Sequence, residues 1–148
     1  MQLEVTCRNF YSLTPADVYE MLRLRSEVFV VEQNCVFLDA DNKDQECDHV
    51  FIRHDRKLVS CSRLVPPGVT YKEMSIGRVV THPSVRGKGV GKLLMEKSLW
   101  FLFQKFGEGP VKIGAQLYLR KFYETFGFLQ CGDVYDEDGI DHIPMLKS

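Results

Sequence analysis

The sequence predicts one α/β domain of the α+β kind, a mixed sheet carrying few helices. Three observations lead there. The hydrophobic pattern reads β-α-β-β-β-α-β-α-β-β, which is no repeating βαβ array. A glycine-rich turn at 87, 89 and 91 joins a β-branched run directly to an amphipathic helix pattern. The 148 residues suit a single domain spanning 1–148, long enough to hold a core without staples.

The elements follow in order. Leu3-Glu4-Val5-Thr6-Cys7 alternates apolar and polar, a half-buried strand. Thr14-Pro15-Ala16-Asp17 has an N-cap, a proline at the first helical position and an acid in the first turn, so a helix starts there. It runs through Val18, Leu22 and Arg25 toward Phe29 and ends before the acidic stretch Asp39–Asp48. Strands are expected over His49–His54 and Lys57–Val65, turned by Asp55-Arg56, and over Ser75–Thr81, stopped by Pro83. Met95, Leu99, Leu102 and Phe106 recur on one helical face, closed by Gly107. Val111–Ala115 is a short strand and Gln116–Phe126 a helix; Phe128–Cys131 and Ile140–Met145 are closing strands.

Composition removes several functions. Nineteen Lys+Arg against 20 Asp+Glu leave a net charge of −1, without the basic excess a nucleic-acid binder needs. Five cysteines, an odd number without a C-x-x-C pair, suit neither a disulfide framework nor a structural zinc site. Free thiols in a reducing compartment are expected, with no metal. The start has no basic region followed by an apolar run, and no apolar stretch approaches the ~18 residues of a membrane span. The expectation is a cytoplasmic protein with neither membrane nor nucleic acid as partner.

The chemistry concentrates in Val79-Val80-Thr81-His82-Pro83-Ser84-Val85-Arg86-Gly87-Lys88-Gly89-Val90-Gly91-Lys92. Here a strand stops, glycines turn the chain and a helix opens. First-turn amides of a helix lack internal partners and lie at the positive end of its dipole. Glycines let a phosphate approach such a backbone closely, and Arg86, Lys88 and Lys92 add positive charge. The alternative is a tight turn whose glycines only relieve strain. No G-K-[ST] closes the run, which excludes a Walker loop, and G-x-G-x-G outside a βαβ unit is a poor dinucleotide fingerprint.

Arg86-x-x-Gly89-x-Gly91 after Val-Val-Thr resembles the acyl-CoA motif (Q/R-x-x-G-x-G/A) of the GNAT acetyltransferase superfamily. Phe122-Tyr123-Glu124-Thr125-Phe126-Gly127-Phe128 is similar to that family's F-Y-x-x-x-G-F, and Gln116 stands seven residues before the tyrosine, where many members have Asn. Leu24–Gln33, the Asp-rich loop, Ile76-Gly77-Arg78-Val79 and Gly139-Ile140-x-His142-Ile143-x-Met145 extend the resemblance, to the ElaA-like branch, over nearly the whole chain.

The resemblance implies a mostly antiparallel central sheet of six to seven strands with about four helices. Strand Arg78–Thr81 would splay from Lys112–Ala115 to admit the pantetheine arm of acetyl-CoA. It places the cofactor on Val79, Val80 and Thr81, on Arg86, Gly87, Lys88, Gly89, Val90, Gly91 and Lys92, and on Gln116 and Tyr123. The Val79 amide would hold the thioester carbonyl, a donor typically worth about 3 kcal/mol of barrier. Tyr123 would protonate the leaving thiolate, a transfer suited to a phenol of pKa near ~10 facing a sulfur near ~8.5; the other reading packs Tyr123 in an aromatic face beside Phe122 and Phe126.

The implied activity is direct transfer of acetyl to the primary amine of a small molecule or peptide in a ternary complex. The rivals are a non-catalytic acyl-CoA sensor of the same fold and a nucleotide-phosphate binder. Several members of the family it resembles carry a glutamate eleven residues before the Q/R of the glycine motif, where this chain has Ser75. Glu32, His142 and Asp136 are the other candidate bases. Partial burial beside Val28, Phe29, Val30 and Val31 would raise the Glu32 pKa; the alternative for Glu32 is bracing the helix end, and for His142 a core hydrogen bond. Arg78, a charge embedded in a strand, is expected to pair with a carboxylate for structural reasons, or else to orient a substrate carboxylate. The acids of 39–48 are expected to form a solvated face, or else an acidic lip for a cationic substrate. Cys47 and Cys61 are read as small packing residues. A homodimer through edge or terminal strands is the assembly consistent with this pattern.

Overall fold

The computed structural model describes residues 1–148. β1 (Glu4–Asn9) leads to α1 (Pro15–Arg25), then β2 (Asp48–His54), β3 (Lys57–Val65) and β4 (Ser75–Thr81); α2 (Val90–Phe106), β5 (Val111–Gln116) and α3 (Arg120–Glu124) precede β6 (Leu129–Gln130), β7 (Tyr135–Glu137) and β8 (Ile140–Lys147). The α+β class holds. The sheet is in two parts, β1-β2-β3-β4 and β5-β8-β6 with β7 also on β8, every named pair antiparallel. Eight strands and three α-helices therefore replace the six to seven and four expected.

Most elements lie where their sequence signals place them. The Thr14 hydroxyl accepts the Asp17 amide while the Asp17 carboxylate accepts that of Thr14, a reciprocal cap opening α1. Asp55 and Arg56 turn β2 into β3, both at positive φ as a type I′ turn requires. The helix expected over 116–126 is shorter: Leu117–Leu119 is a 3₁₀ turn and α3 spans Arg120–Glu124. Beyond Arg25 the chain widens into a π-helix, Ser26–Glu32, where the Gln33 amide reaches the Val28 carbonyl at 3.1 Å and that of Cys35 the Val30 carbonyl at 3.0 Å.

Hydrophobic packing fixes the layers. Val90, Leu94, Met95, Leu99 and Leu102 of α2 pack with Val50 and Ile52 of β2, Val111 and Ile113 of β5, and Ile143 and Met145 of β8. On the other face Met21, Leu24 and Val28 meet Phe51, Cys61 and Val80. The two half-sheets join at one place: Met74 bridges Val111 in parallel, and the Lys112 amide donates to the Met74 carbonyl at 3.1 Å. Past that point β4 pairs with β3 alone and β5 with β8 alone, leaving a V-shaped opening.

The acidic loop corrects the expectation of a solvated face or a substrate-attracting lip. Asp39 and Asp44 are buried. Asp39 accepts Arg25 Nε and Arg78 Nε, both at 2.8 Å, and Asp44 accepts Arg25 Nη1 at 2.9 Å and Arg63 Nη1 at 3.0 Å. Asp41 accepts Arg63 Nη2 at 2.6 Å. Burial opposes ionisation of Asp41 and Asp44, but the guanidinium groups prevail and hold both carboxyls below their ordinary range. Arg78 does pair with a carboxylate, as its sequence position implied.

Candidate active site

A cavity of about 1210 Å³ fills the V between β4 and β5. Its first wall is β4. Arg78 interrupts that strand at φ +48, in the left-handed region, and the β3–β4 register slips between Cys61 and Arg63. The His82 amide donates to the Val59 carbonyl at 2.7 Å. Backbone alternation then turns the Val80 amide toward β3, and those of Thr81 and Val79 toward the opening. The Val80 side chain is committed to the α1 face of the core, while Val79 packs toward α2.

The floor is the glycine turn. Gly87 and Gly89 lie at φ +74 and +80, a region in which a side chain would be strained, and neither has a neighbour within 4 Å of where a Cβ would sit. Gly89 caps α2, and the first i to i−4 bond runs from the Leu93 amide to the Gly89 carbonyl. The amides of Val90, Gly91 and Lys92 therefore have no helical acceptor. Arg86, Gly87, Gly89, Val90, Gly91 and Lys92 all line the cavity; Lys88 does not. Val90 sends its side chain into the core and offers only backbone.

Arg86 is already engaged. Its Nε donates to the Thr81 carbonyl at 3.1 Å, and Nη2 donates to Glu32 Oε1 at 2.6 Å, with Nη1 on the other carboxylate oxygen. The expectation for Glu32 is thereby corrected. Its side chain is 40% exposed rather than sheltered, and the Arg86 hydrogen bonds lower its pKa instead of raising it. A carboxylate held this way is a poor proton acceptor.

Tyr123 is buried on α3, edge-on to Phe122 at 5.2 Å and to Phe128 at 6.2 Å, and lines the cavity. The ring packs in the aromatic face beside Phe122, as one sequence reading expects, and the residue also borders the cavity. Burial pushes its pKa above the ordinary phenol value, so the proton stays on oxygen until strong negative charge develops alongside.

The opposite wall is β5 with the β7–β8 hairpin. Val111, Ile113 and Ala115 face the core, so Lys112, Gly114 and Gln116 face the other way. Gln116 exchanges amide hydrogen bonds with Gln33 at 3.1 and 3.2 Å. His142 is buried on β8; its Nδ1 lies 2.8 Å from the Ile140 carbonyl, which makes that nitrogen the donor, and Nε2 lies 3.1 Å from Glu137. With Nδ1 donating to the Ile140 carbonyl, Nε2 faces the Glu137 carboxylate, so His142 and Glu137 stand as a pair at this wall. Asp136 pairs with Asp141 across the hairpin, on the strand face opposite Tyr135, Glu137 and His142, and is absent from the cavity wall.

Tyr71, Tyr135 and Glu137 also line the cavity, and the sequence reading missed them. Two signals were there. Asp138-Gly139 between Tyr135–Glu137 and Ile140 is a hairpin signature, and both residues have positive φ. A glycine inside a strand, Gly114, marks a close approach: a Cβ there would sit 2.6 Å from the Tyr135 hydroxyl and 3.0 Å from that of Tyr71. Cys47 and Cys61 are buried packing residues, and burial raises their thiols to about 11 and about 12.

The architecture has known counterparts. A family model described as acetyltransferase (GNAT) domain matches residues 19–148. A UPF0039 protein of Synechocystis is 40% identical over 147 residues, covering 99% of this chain and 96% of its own. ElaA of Escherichia coli is 39% identical over 137 residues, 91% of this chain and 90% of its own. The ElaA crystal structure superposes with a TM-score of 0.93 at 35% identity, covering 99% of this chain and all of its own. An acyl-CoA N-acyltransferase of Pseudomonas aeruginosa superposes at 0.92, with 35% identity and coverage of 98% and 99%. No helix is long and apolar enough to cross a membrane.

Proposed function

Because the chain belongs to the GNAT acetyltransferase family, we propose that it is an acetyl-CoA-dependent N-acetyltransferase acting on a primary amine in a ternary complex. The observation that carries this reading is the separation of β4 from β5 past Met74–Val111, beside the free amides at the start of α2.

Each residue has one task. The amides of Val90, Gly91 and Lys92, with the Lys92 ammonium, take the pyrophosphate; Gly87 and Gly89 keep side chains out of its path. Arg86 joins them when it leaves Glu32. Lys88 supplies long-range positive charge from outside the cavity. The outward amides of Val79 and Thr81 receive the pantetheine arm as a further strand would be received. The Val79 amide then donates to the thioester oxygen as negative charge grows there. Gln116 contributes a side-chain amide at the end of β5. Tyr123 gives its proton to sulfur as the C–S bond breaks. The single domain 1–148 carries every one of these groups.

The test is amine-dependent thiol release from acetyl-CoA across a panel of primary amines. Release that requires amine and yields the acetylated product is expected. CoA binding without acetylation of any amine would replace this reading with the sensor.

A further inference from the structure

We propose that the acceptor amine docks on the β5–β8 wall, its ammonium held by the Glu137 carboxylate and the Tyr71 and Tyr135 hydroxyls, and that Glu137 removes the proton that blocks attack. The inference rests on the acetyl-transfer reading and names its base and the class of its acceptor.

Four carboxylates line the cavity, and two are tied to guanidinium groups: Glu32 holds Arg86 and Asp41 holds Arg63. Asp138 sits in the exposed hairpin turn at φ +54, and Glu137 has beside it only the His142 ring, a cation only when protonated. Glu137 shares a strand face with Tyr135 and His142, and the His142 ring, fixed by the Ile140 carbonyl, has Nε2 3.1 Å from its carboxylate. His142 in turn stacks on the Tyr135 ring at 5.7 Å.

The two phenols complete the cradle. Their hydroxyls converge over Gly114, where the missing Cβ leaves just enough room. Burial, then the negative potential of Tyr71 and Glu137, raises Tyr135 to about 12, so its hydroxyl stays neutral and accepts an ammonium N–H. The chain's own Lys112 ammonium sits 5.0 Å over the Tyr71 ring, a cation–π contact made outside the cavity lining. Phe29, Phe37, Leu38 and Ile140 supply apolar surface to the same cavity. An arylalkyl primary amine is the class that matches a carboxylate at one end and aromatic walls around the remainder.

The proton balance closes. Glu137 takes one proton from R–NH₃⁺, freeing the nitrogen pair. That pair forms the N–C bond as the C–S pair leaves with sulfur, and sulfur takes the Tyr123 proton. The second nitrogen proton restores Tyr123, and Glu137 returns its own to solvent. The sum is R–NH₃⁺ plus acetyl-CoA giving the amide, CoA thiol and one proton.

Calorimetric titration of phenethylamine, with and without CoA, tests the assignment. Wild type should bind phenethylamine at least about tenfold more tightly than phenethyl alcohol, and Glu137→Gln should lose about tenfold of the amine affinity, as loss of a charge-assisted hydrogen bond requires. Tyr135→Phe should weaken the amine as well, and circular dichroism reports folding of both variants. Equal affinity of wild type for amine and alcohol, or wild-type amine affinity in Glu137→Gln, would overturn the proposal. A parallel titration with CoA alone judges the parent reading separately, since neither variant touches the glycine turn.

Discussion

Arg78 holds a left-handed backbone, φ +48, in the middle of β4, and Asp39 clamps it there: Nε donates to the carboxylate at 2.8 Å and Nη2 to the Asp39 carbonyl at 2.9 Å. A non-glycine residue in that region is strained and persists where its surroundings over-determine it. The surroundings here are a buried carboxylate shared with Arg25 and the Phe37 ring 5.8 Å from the guanidinium carbon. The loop thus fixes the bulge from which Val79 presents its amide to the cavity.

Asp39→Ala leaves the fully buried Arg25 with Asp44 alone and Arg78 with only a 3.4 Å contact to Asp41. A loss of about 3–5 kcal/mol is expected, the usual effect of breaking a buried pair by removing one partner. Urea unfolding monitored by circular dichroism measures it, and a loss below about 1 kcal/mol, the range of exposed pairs, would contradict the clamp.

Acid should release the same network. Asp41 and Asp44 have folded pKa values below their unfolded ones, so their stabilisation is complete above the unfolded carboxylate range near ~4 and drains as pH falls through the folded values. Thermal midpoints measured from pH 6 down to pH 2 should drop below about pH 4, less steeply in Asp44→Asn than in wild type.

Tyr123→Phe keeps the buried ring and removes its hydroxyl. Turnover should fall by about 10²–10⁴, the usual contribution of a positioned acid, while CoA affinity changes by less than about twofold. Steady-state kinetics beside calorimetry separates the two quantities, and unchanged turnover would take Tyr123 out of the reaction.

Glu32 and Arg86 are bidentate partners at the mouth of the phosphate site, 40% and 43% exposed. In Glu32→Gln the arginine is free before the pyrophosphate arrives, so CoA should bind about twofold to fivefold more tightly, the range of an exposed ion pair. Weaker binding would mean that Glu32 supports the loop instead of competing for Arg86.

Local chemistry made much of this site readable in advance. Glycines 87, 89 and 91, the strand before them and the helix after them are contiguous, and their spacing carries the geometry. Tyr123 was singled out by its motif, and its packing beside Phe122 by the aromatic spacing around it. Pairings across the fold were hidden: Arg86 and Glu32 lie 54 residues apart, and Asp39, Asp41 and Asp44 find Arg25, Arg63 and Arg78 on three different elements. A run of acids looks solvated until the fold brings arginines to it. β7 was missed because Tyr135–Glu137 is short and largely exposed, so it lacks an apolar alternation.

The central claim is that the glycine turn and the parted strands bind an acyl-CoA, and calorimetric titration of CoA into wild type and Gly89→Val tests it most directly. The φ of +80 at Gly89 excludes an unstrained valine, so the account predicts a saturable one-to-one site in wild type and at least about tenfold weaker binding in the variant. Folded wild type without measurable CoA affinity, or a variant binding as tightly as wild type, would contradict it.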